Sequence, residues 1–237
     1  MKLLDLFCGE GGAGYGYHLA GFDVVGVDLQ SQTRYPFEFH QGDAFEYLSR
    51  HANEFDFIHA SPPCQAYSWL TPNSHKENHP DFIAPIRELL LKTEKPFVIE
   101  NVGGARRLLE NPIKLCGSMF GLKTYRHRYF EIHPAIEILT PPCNHDFKPL
   151  LVTTAGNNSR AIRKVGEYKS VKNAPLAYGI DWMSFKGLKE AIPPAYTKFL
   201  GDWFIANTAL LSNTACSRLE TGAAKSDSLS TFAVSSG

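Results

Sequence analysis

Short apolar runs that alternate with helix-like stretches most constrain the fold of this chain. They occupy residues 2–7, 23–28, 55–60 and 96–102, and each is followed by a turn or a polar segment. An alternation of this kind places parallel strands side by side, with helices packed on the sheet. The sequence therefore predicts an α/β fold with a mainly parallel sheet, whose ligands bind near the carboxyl ends of the strands.

A glycine-rich turn, Cys8 to Gly14, joins the first apolar run to a helix-like stretch. Glycines let the backbone pass close to a ligand at the N-terminus of a helix. The second run ends in Asp28, where nucleotide-binding sheets place a carboxylate that holds the ribose. Asp43 adds an acid at a later turn. These acids indicate a nucleotide-like ligand, and simple turn formation is the alternative for each.

A cysteine follows the third run, within the stretch from Ala60 to Ser68. Pro62 and Pro63 exclude immediate continuation into a helix or a central strand, so Cys64 is expected at the exposed end of a strand. A proline-rich turn with an incidental apolar cysteine is the alternative. Residues 71–80 are polar and helix-poor, and we expect them to form a loop long enough to act as a lid.

Charge is distributed unevenly along a chain whose net charge is zero. Residues 1–111 contain 9 Lys and Arg against 15 Asp and Glu, whereas residues 112–188 contain 11 against 5. The basic middle indicates a surface that faces a polyanion, with ordinary variation of charge as the alternative. Within it, residues 125–132 alternate like a strand, with Arg126 and Arg128 on one face.

The change of pattern after residue 111 also suggests the domain organisation. Residues 1–132 are interpreted as the main domain and 133–180 as a small inserted module. Residues 181–206 would return to the main domain. Residues 207–237 are rich in Ser, Thr, Ala and Gly, which is typical of a loose tail.

The cysteines do not follow a regular spacing; they lie at positions 8, 64, 116, 143 and 216. An odd number without a pattern favours free thiols in a reducing compartment. Cys116, Cys143 and His145 suggest zinc, but no Cys-x-x-Cys pair occurs, and we predict no metal site. Cys8 is interpreted as a packed small residue.

The hydropathy pattern leads us to expect a cytoplasmic protein that does not bind membranes. No apolar run approaches the roughly eighteen residues needed to span a bilayer. Asp5 and Glu10 interrupt the amino terminus before any secretory apolar segment could form.

Taken in order, these motifs resemble those of the cytosine-C5 DNA methyltransferase family, in the compact form that bacteriophages carry. The resemblance covers nearly all of residues 1–205. It rests on matches to the methyl-donor loop, the nucleophile, the glutamate motif, the basic motif and the closing segment. These matches are Asp5-Leu6-Phe7-Cys8-Gly9-Glu10-Gly11-Gly12 with Ala20-Gly21-Phe22, Pro63-Cys64-Gln65, Glu100-Asn101-Val102, Arg126 with Arg128, and Ala191-Ile192-Pro193-Pro194.

The resemblance implies a Rossmann-like sheet that binds S-adenosylmethionine, with a small target-recognition module inserted in it. The residues that it assigns to the cofactor are Phe7, Gly9, Gly11, Gly12, Asp28, Leu29, Asp43, Ala44 and Pro62. Contacts to DNA are expected from Gln65, Ser68, Arg160, Arg163 and Lys164. The chain departs from the family at Thr124, Tyr125 and Glu190, where glutamine, arginine and asparagine are usual.

The chemistry of cytosine gives independent reasons for these residue types. Carbon 5 is a poor nucleophile until a group adds to carbon 6, and a thiolate such as that of Cys64 suits this addition. Glu100 can donate to N3 and accept from the exocyclic amine. Arg128, supported by Arg126, would hold O2 of the base or its phosphate. The base must leave the helical stack to be reached.

The sequence therefore predicts a DNA cytosine-5 methyltransferase that uses S-adenosylmethionine and acts on DNA as a monomer. Two alternatives stay open. One is methylation of structured RNA such as tRNA, and the other is a noncatalytic DNA-binding protein with the same fold. The target sequence, and the existence of a restriction partner, do not follow from the sequence, because base-edge contacts decide specificity.

Overall fold

The computed structural model describes residues 1–64, 67, 81–150 and 174–207. Within these residues the strands form a seven-stranded sheet in the order β3-β2-β1-β4-β5-β7-β6. The strands are β1 (Lys2–Leu6), β2 (Asp23–Asp28), β3 (Glu38–Gln41), β4 (Phe57–Ala60), β5 (Phe97–Asn101), β6 (Ile113–Leu115) and β7 (Arg128–His133). The main helices are α1 (Gly12–Leu19), α2 (Ala44–His51), α3 (Ile83–Lys92), α4 (Ala174–Tyr178) and α5 (Phe185–Glu190).

The first five strands are parallel, as the alternation of strands and helices predicts. β1 lies at the centre, where it pairs in parallel with β2 and β4. β3 and β5 extend the parallel sheet on either side. β7 then pairs antiparallel with both β5 and β6. The predicted α/β fold with a mainly parallel sheet is confirmed.

A hydrophobic core lies between the sheet and helices α2 and α3. It joins strand residues such as Leu4 and Ile58 to Leu48 of α2 and Ile86 of α3, all of which are fully buried. Strands of a parallel sheet are covered on both faces, which explains why they appear in the sequence as short continuous apolar runs. This core fixes the strand ends on which the site is built.

Local structure differs from the prediction at the start of β7. The alternating stretch from residue 125 predicts a strand, yet β7 begins at Arg128. Arg126 has a φ of 22°, close to the left-handed region, so the chain turns there rather than extending. Helix α1 also begins earlier than predicted, because Gly11 at its N-cap has a φ of 90°.

Residues 1–201 form one compact unit and residues 202–237 a second. In the first unit, α4 and α5 pack through a small apolar cluster that includes Ala177, Ile180 and Leu188. Residues 194–201 are helical. In the second unit the structure describes residues 202–207, which are helical.

A span that could cross a membrane is not found among the described helices, since none is both long and apolar enough.

Candidate active site

A cavity of about 570 Å³ opens at the carboxyl ends of the central parallel strands. Its size lies within the range of small-molecule sites. The residues around it come from the glycine turn, from the ends of β2, β4 and β5, from the start of β7 and from the segment that includes α5. Predicted site residues that line it are Phe7, Gly9, Gly12, Asp28, Leu29, Asp43, Ala44, Pro62, Cys64, Glu100 and Arg128.

The glycine turn forms one wall of this cavity. Gly9 has a φ of 51°, and a side chain there would project into space that no other atom occupies within 4 Å. Gly12 instead packs tightly, since a Cβ at that position would lie 2.5 Å from the carbonyl oxygen of Ile192. Gly11 is not among the described residues that line the cavity. It lies instead at the N-cap of α1, in the turn, where its φ of 90° suits a glycine. The turn thus presents backbone to a ligand while holding the closing segment.

Two carboxylates border the same wall. Asp28 Oδ2 accepts the N–H of Gly9 at 3.0 Å, and its Oδ1 accepts the N–H of Gln30 at 2.9 Å. Asp43 caps helix α2, because its Oδ1 accepts the N–H groups of Phe45 and Glu46 at 2.8 and 3.0 Å. The turn-forming role weighed for Asp43 is therefore real. Its Oδ2 has no partner within the described ranges and can accept a further hydrogen bond.

Glu10 ties the glycine turn to the segment before α5. Its carboxylate accepts hydrogen bonds from both the backbone N–H and the hydroxyl of Ser184, and its carbonyl accepts the indole N–H of Trp182 at 3.0 Å. Gly187 sits so close that a Cβ there would lie 2.4 Å from Glu10 Oε2. This wall of the cavity is assembled from segments that are 172 to 174 residues apart in the sequence.

Cys64 is half-buried in the turn that follows β4. The side chain of Asn101 holds this turn, since its Nδ2 donates to the carbonyl of Pro62 at 3.0 Å and its Oδ1 accepts the N–H of Val102. Burial, followed by the charge of Glu100, raises the pKa of the Cys64 thiol, and Arg128 opposes this rise. The thiol therefore keeps its proton at neutral pH in this environment.

Glu100 and Arg128 form a buried ion pair across the cavity wall. Arg128 Nε lies 2.9 Å from Glu100 Oε1, and the two side chains are 13% and 7% exposed. The N–H of Arg128 is poorly aligned with this oxygen, so the contact is an ion pair, and Glu100 Oε1 accepts no hydrogen bond among the described residues. Burial raises the pKa of Glu100, against the opposing effects of Arg128, Arg126 and the Ser61 hydrogen bond. A carboxyl group of this kind can carry a proton and give it to a ligand.

A chain of hydrogen bonds that the sequence did not predict runs from the buried Tyr17 towards Glu100. Tyr17 Oη lies 3.0 Å from His59 Nδ1, His59 Nε2 lies 2.8 Å from Ser61 Oγ, and Ser61 hydrogen-bonds to Glu100. Burial lowers the pKa of His59 to about 3, so its ring is neutral. The sequence does contain an indication of this contact. His59 and Ser61 are two residues apart in an extended segment, and their side chains therefore lie on the same side of it.

Arg126 has a different role from the one predicted. Its guanidinium donates to the carbonyls of Lys189 and Ala191 at 2.6 and 2.7 Å, and to the Tyr178 hydroxyl at 3.1 Å. The residue is half-buried and is not among the described residues that line the cavity. Arg126 therefore positions the closing segment, and of the two arginines Arg128 is the one that lines the cavity.

Two of the departures from the family motif lie in different surroundings. Glu190 lines the cavity and contributes to the raised pKa of Cys64. Thr124 is buried against Gly117, away from the cavity.

The predicted DNA contacts, Gln65, Ser68, Arg160, Arg163 and Lys164, lie outside the described residues, as does the predicted lid.

Comparison with known proteins gives one family match. Residues 1–113 match the family model of the C-5 cytosine-specific DNA methylases. No sequence among curated proteins matches the chain.

Several solved structures are similar over part of their length. One is described as a DNA modification methyltransferase from an E. coli prophage, at 25% identity over 64% of this chain, with a TM-score of 0.45. Another is the Entamoeba histolytica methyltransferase EhMeth, at 17% identity over 62% of this chain, with a TM-score of 0.46. The chain covers 53% and 57% of these two proteins.

Proposed function

We propose that this chain, whose residues 1–113 match the family model of the C-5 cytosine-specific DNA methylases, methylates carbon 5 of cytosine in DNA. The observation that carries the proposal is one cavity that holds a thiol, a buried acid and a guanidinium beside a glycine turn. These groups are Cys64, Glu100 and Arg128, with Gly9 on the neighbouring wall. They supply a nucleophile, a proton donor and a cation within one cavity.

The wall formed by the glycine turn fits S-adenosylmethionine. The open space beside Gly9 leaves room for a ligand against the backbone. Asp28 is fixed by two backbone N–H groups and would accept the ribose hydroxyls, and Asp43 Oδ2 can accept a further donor such as the adenine amine. When bound, S-adenosylmethionine supplies an electrophilic methyl group.

Cys64 acts as the nucleophile in this proposal. Its sulfur forms a bond to carbon 6 of cytosine, and the electron pair of the 5,6 double bond moves through the ring towards N3. The raised pKa of the thiol means that Cys64 holds its proton in the free site. Glu100 is the charge that most opposes ionisation, so transfer of the thiol proton to the Glu100 carboxylate both forms the thiolate and removes that charge. The two groups therefore work as a pair.

Glu100 provides the proton that N3 takes up as the thiolate adds. Its buried, raised-pKa carboxyl can be protonated, and its Oε1 has no hydrogen bond within the described part of the chain. Arg128 stays beside it and stabilises the carboxylate that results. After methylation, a base or water takes the carbon-5 proton, the bond between carbon 6 and the sulfur of Cys64 breaks as the 5,6 double bond re-forms, and N3 returns its proton to the Glu100 carboxylate.

The cavity also requires that the cytosine leave the helix. Cys64 and Glu100 line its walls at the ends of β4 and β5, where a stacked base pair cannot reach them. A flipped nucleotide enters such a pocket at a cost of a few kcal/mol for lost stacking and pairing. Monomeric action in the cytoplasm is part of the same proposal.

The test is transfer of labelled methyl groups from S-adenosylmethionine to DNA. We expect the parent to label cytosine, and Cys64→Ser and Glu100→Gln to lose most of the turnover. Lys92→Gln, on the exposed surface of α3, serves as the matched control and should retain it. Full turnover by Cys64→Ser would refute the mechanism.

The same assay separates the alternative functions. Greater transfer to tRNA than to DNA would assign an RNA substrate. Binding of S-adenosylmethionine and DNA without transfer to either nucleic acid would indicate a noncatalytic protein. Bisulfite mapping of DNA from cells that express the chain would then give the target sequence.

A further inference from the structure

Four side chains of metal-binding types meet beside the start of β7. They are Cys116, His127, Cys143 and His145, and their ligand atoms all lie within 4.8 Å of one another. Cys143 Sγ lies 3.5 Å from His127 Nε2 and 3.0 Å from His145 Nε2, and Cys116 Sγ lies 3.5 Å from His145 Nε2. We propose that this cluster binds one Zn²⁺ ion that stabilises the fold.

The distances suit tetrahedral coordination. Zinc binds sulfur at about 2.3 Å and nitrogen at about 2.0 Å, which places neighbouring ligand atoms roughly 3.3 to 3.8 Å apart. Two of the three sulfur–nitrogen distances, both 3.5 Å, fall in this range, and the third is shorter at 3.0 Å. Two thiolates and two imidazoles complete the coordination shell, which is the ligand set of a structural site.

Neighbouring groups hold the ligands in place. Ser118 Oγ accepts the N–H of Asn144 at 3.1 Å and lies 3.1 Å from Cys116 Sγ, so its own hydrogen can point at the sulfur. The ring of Tyr125 stacks on His145 at 3.9 Å, and its hydroxyl donates to the His145 carbonyl at 2.8 Å. Outer contacts of this kind orient metal ligands and stabilise a bound thiolate.

The fold gives a reason for such a site. Residues 138–150 contain no helix or strand, and a long segment without secondary structure is uncommon in a compact domain. Cys143 and His145 lie in this segment, whereas Cys116 follows β6 and His127 precedes β7. One ion would therefore fasten the segment to the edge of the sheet that carries Arg128.

The spacing of these four ligands along the sequence differs from the Cys-x-x-Cys spacing that is typical of zinc sites. The prediction of no metal site rested on the absence of Cys-x-x-Cys. Here β6 and β7, which pair antiparallel, bring distant ligands together. The proposal therefore revises that prediction, and it stands independently of methyl transfer. A mixed set of thiolates and imidazoles favours zinc over magnesium or calcium.

The experiment measures metal bound to the full chain, purified without a histidine tag or chelating resin. We expect about one zinc ion per chain, measured by inductively coupled plasma mass spectrometry. Cys143→Ser and His145→Asn should lower this content at least tenfold. Cys64→Ser and His51→Asn are the matched controls that remove the same side chains elsewhere, and they should keep the zinc.

A cobalt measurement covers the case in which a ligand variant fails to fold. The parent, stripped of metal and titrated with Co²⁺, should show the visible bands of tetrahedral cobalt and a thiolate charge-transfer band. Absence of both, together with a zinc-free purified parent, would overturn the proposal. So would unchanged zinc content in folded Cys143→Ser, or a disulfide joining Cys116 to Cys143. Cys64→Ser should keep zinc while losing methyl transfer, so the two proposals fail separately.

Discussion

Two buried groups at the ends of neighbouring strands should give this protein an unusual dependence of stability on pH. Asp5 on β1 is fully buried, and desolvation raises its pKa from 3.8 to about 7. Its Oδ2 accepts the Tyr35 hydroxyl at 3.2 Å, whereas Oδ1 lacks a hydrogen bond among the described residues. His59 on β4 is also buried, and its pKa falls from 6.5 to about 3. The shifts act on stability in opposite directions.

The direction in which each group changes the free energy of unfolding follows from the number of protons that it binds in the folded and unfolded states. Between about pH 4 and pH 7 the folded protein keeps the Asp5 proton that the unfolded chain has lost, so this group destabilises the fold as pH rises. His59 does the reverse between about pH 3 and pH 6.5, because the unfolded chain binds a proton that the folded protein excludes. Each group changes the free energy of unfolding by about 1.4 kcal/mol per pH unit. In the parent the two contributions largely cancel over the shared window.

Asp5→Asn removes one side of this balance. The variant should gain stability relative to the parent by about 4 kcal/mol between pH 4 and pH 7, since Asp5 shifts by roughly three pH units. Urea unfolding of both proteins at pH 4.5, 5.5, 6.5 and 7.5 measures the difference directly. A free-energy difference that stays constant across these pH values would show that Asp5 does not titrate as a buried acid. Asp23→Asn, on the exposed start of β2, is the control and should show no such trend.

Three further predictions concern the cavity. Ser61→Ala removes a hydrogen bond that favours the Glu100 carboxylate, so the apparent pKa that Glu100 contributes to the pH profile of kcat/KM should rise. Gly9→Ala places a methyl group in the ligand space and strains a φ of 51°, so KM for S-adenosylmethionine should rise about tenfold, or about 1.4 kcal/mol. Arg126→Lys loses the planar fork that holds two carbonyls, and it should lower the free energy of unfolding by about 2 kcal/mol in urea.

Each of these predictions has an outcome that would contradict it. An unchanged pH profile in Ser61→Ala would mean that the buried hydrogen-bond chain does not act on Glu100. For Gly9→Ala, a matching rise in KM for DNA would indicate general damage rather than a blocked donor space. Gly42→Ala, at a turn where a Cβ meets nothing within 4 Å, is its control. Arg126→Lys with parental stability but reduced kcat would return Arg126 to the chemistry.

The sequence predicted the parts of the site that depend on one strand end at a time. Asp28, Cys64 and Glu100 each follow or end a buried strand, and parallel strands bring their carboxyl ends to one edge. The fold class followed from the same alternation, and the family resemblance is confirmed over residues 1–113. Such features can be predicted from the sequence alone, because a residue at the carboxyl end of a parallel strand lies at a known edge of the sheet.

The sequence did not predict features that depend on backbone turns or on pairing between distant segments. Arg126 and Arg128 share a face of an ideal strand, but the turn at Arg126 sends its side chain to the closing segment instead. The approach of His127 to Cys143 depends on how a segment without regular structure folds back on the sheet. No periodicity records either arrangement.

The antiparallel course of β7 has a consequence for which parts of the chain can vary without disturbing the cavity. Arg128 stands at the first residue of β7 and therefore at the pocket edge, whereas His133 at the other end pairs with Phe97 at the start of β5. The chain thus leaves the sheet on the side away from the chemistry. Insertions or deletions after His133 would leave unchanged the β5–β7 register that places Arg128 beside Glu100. The segment that follows the sheet can therefore vary in length without moving Arg128.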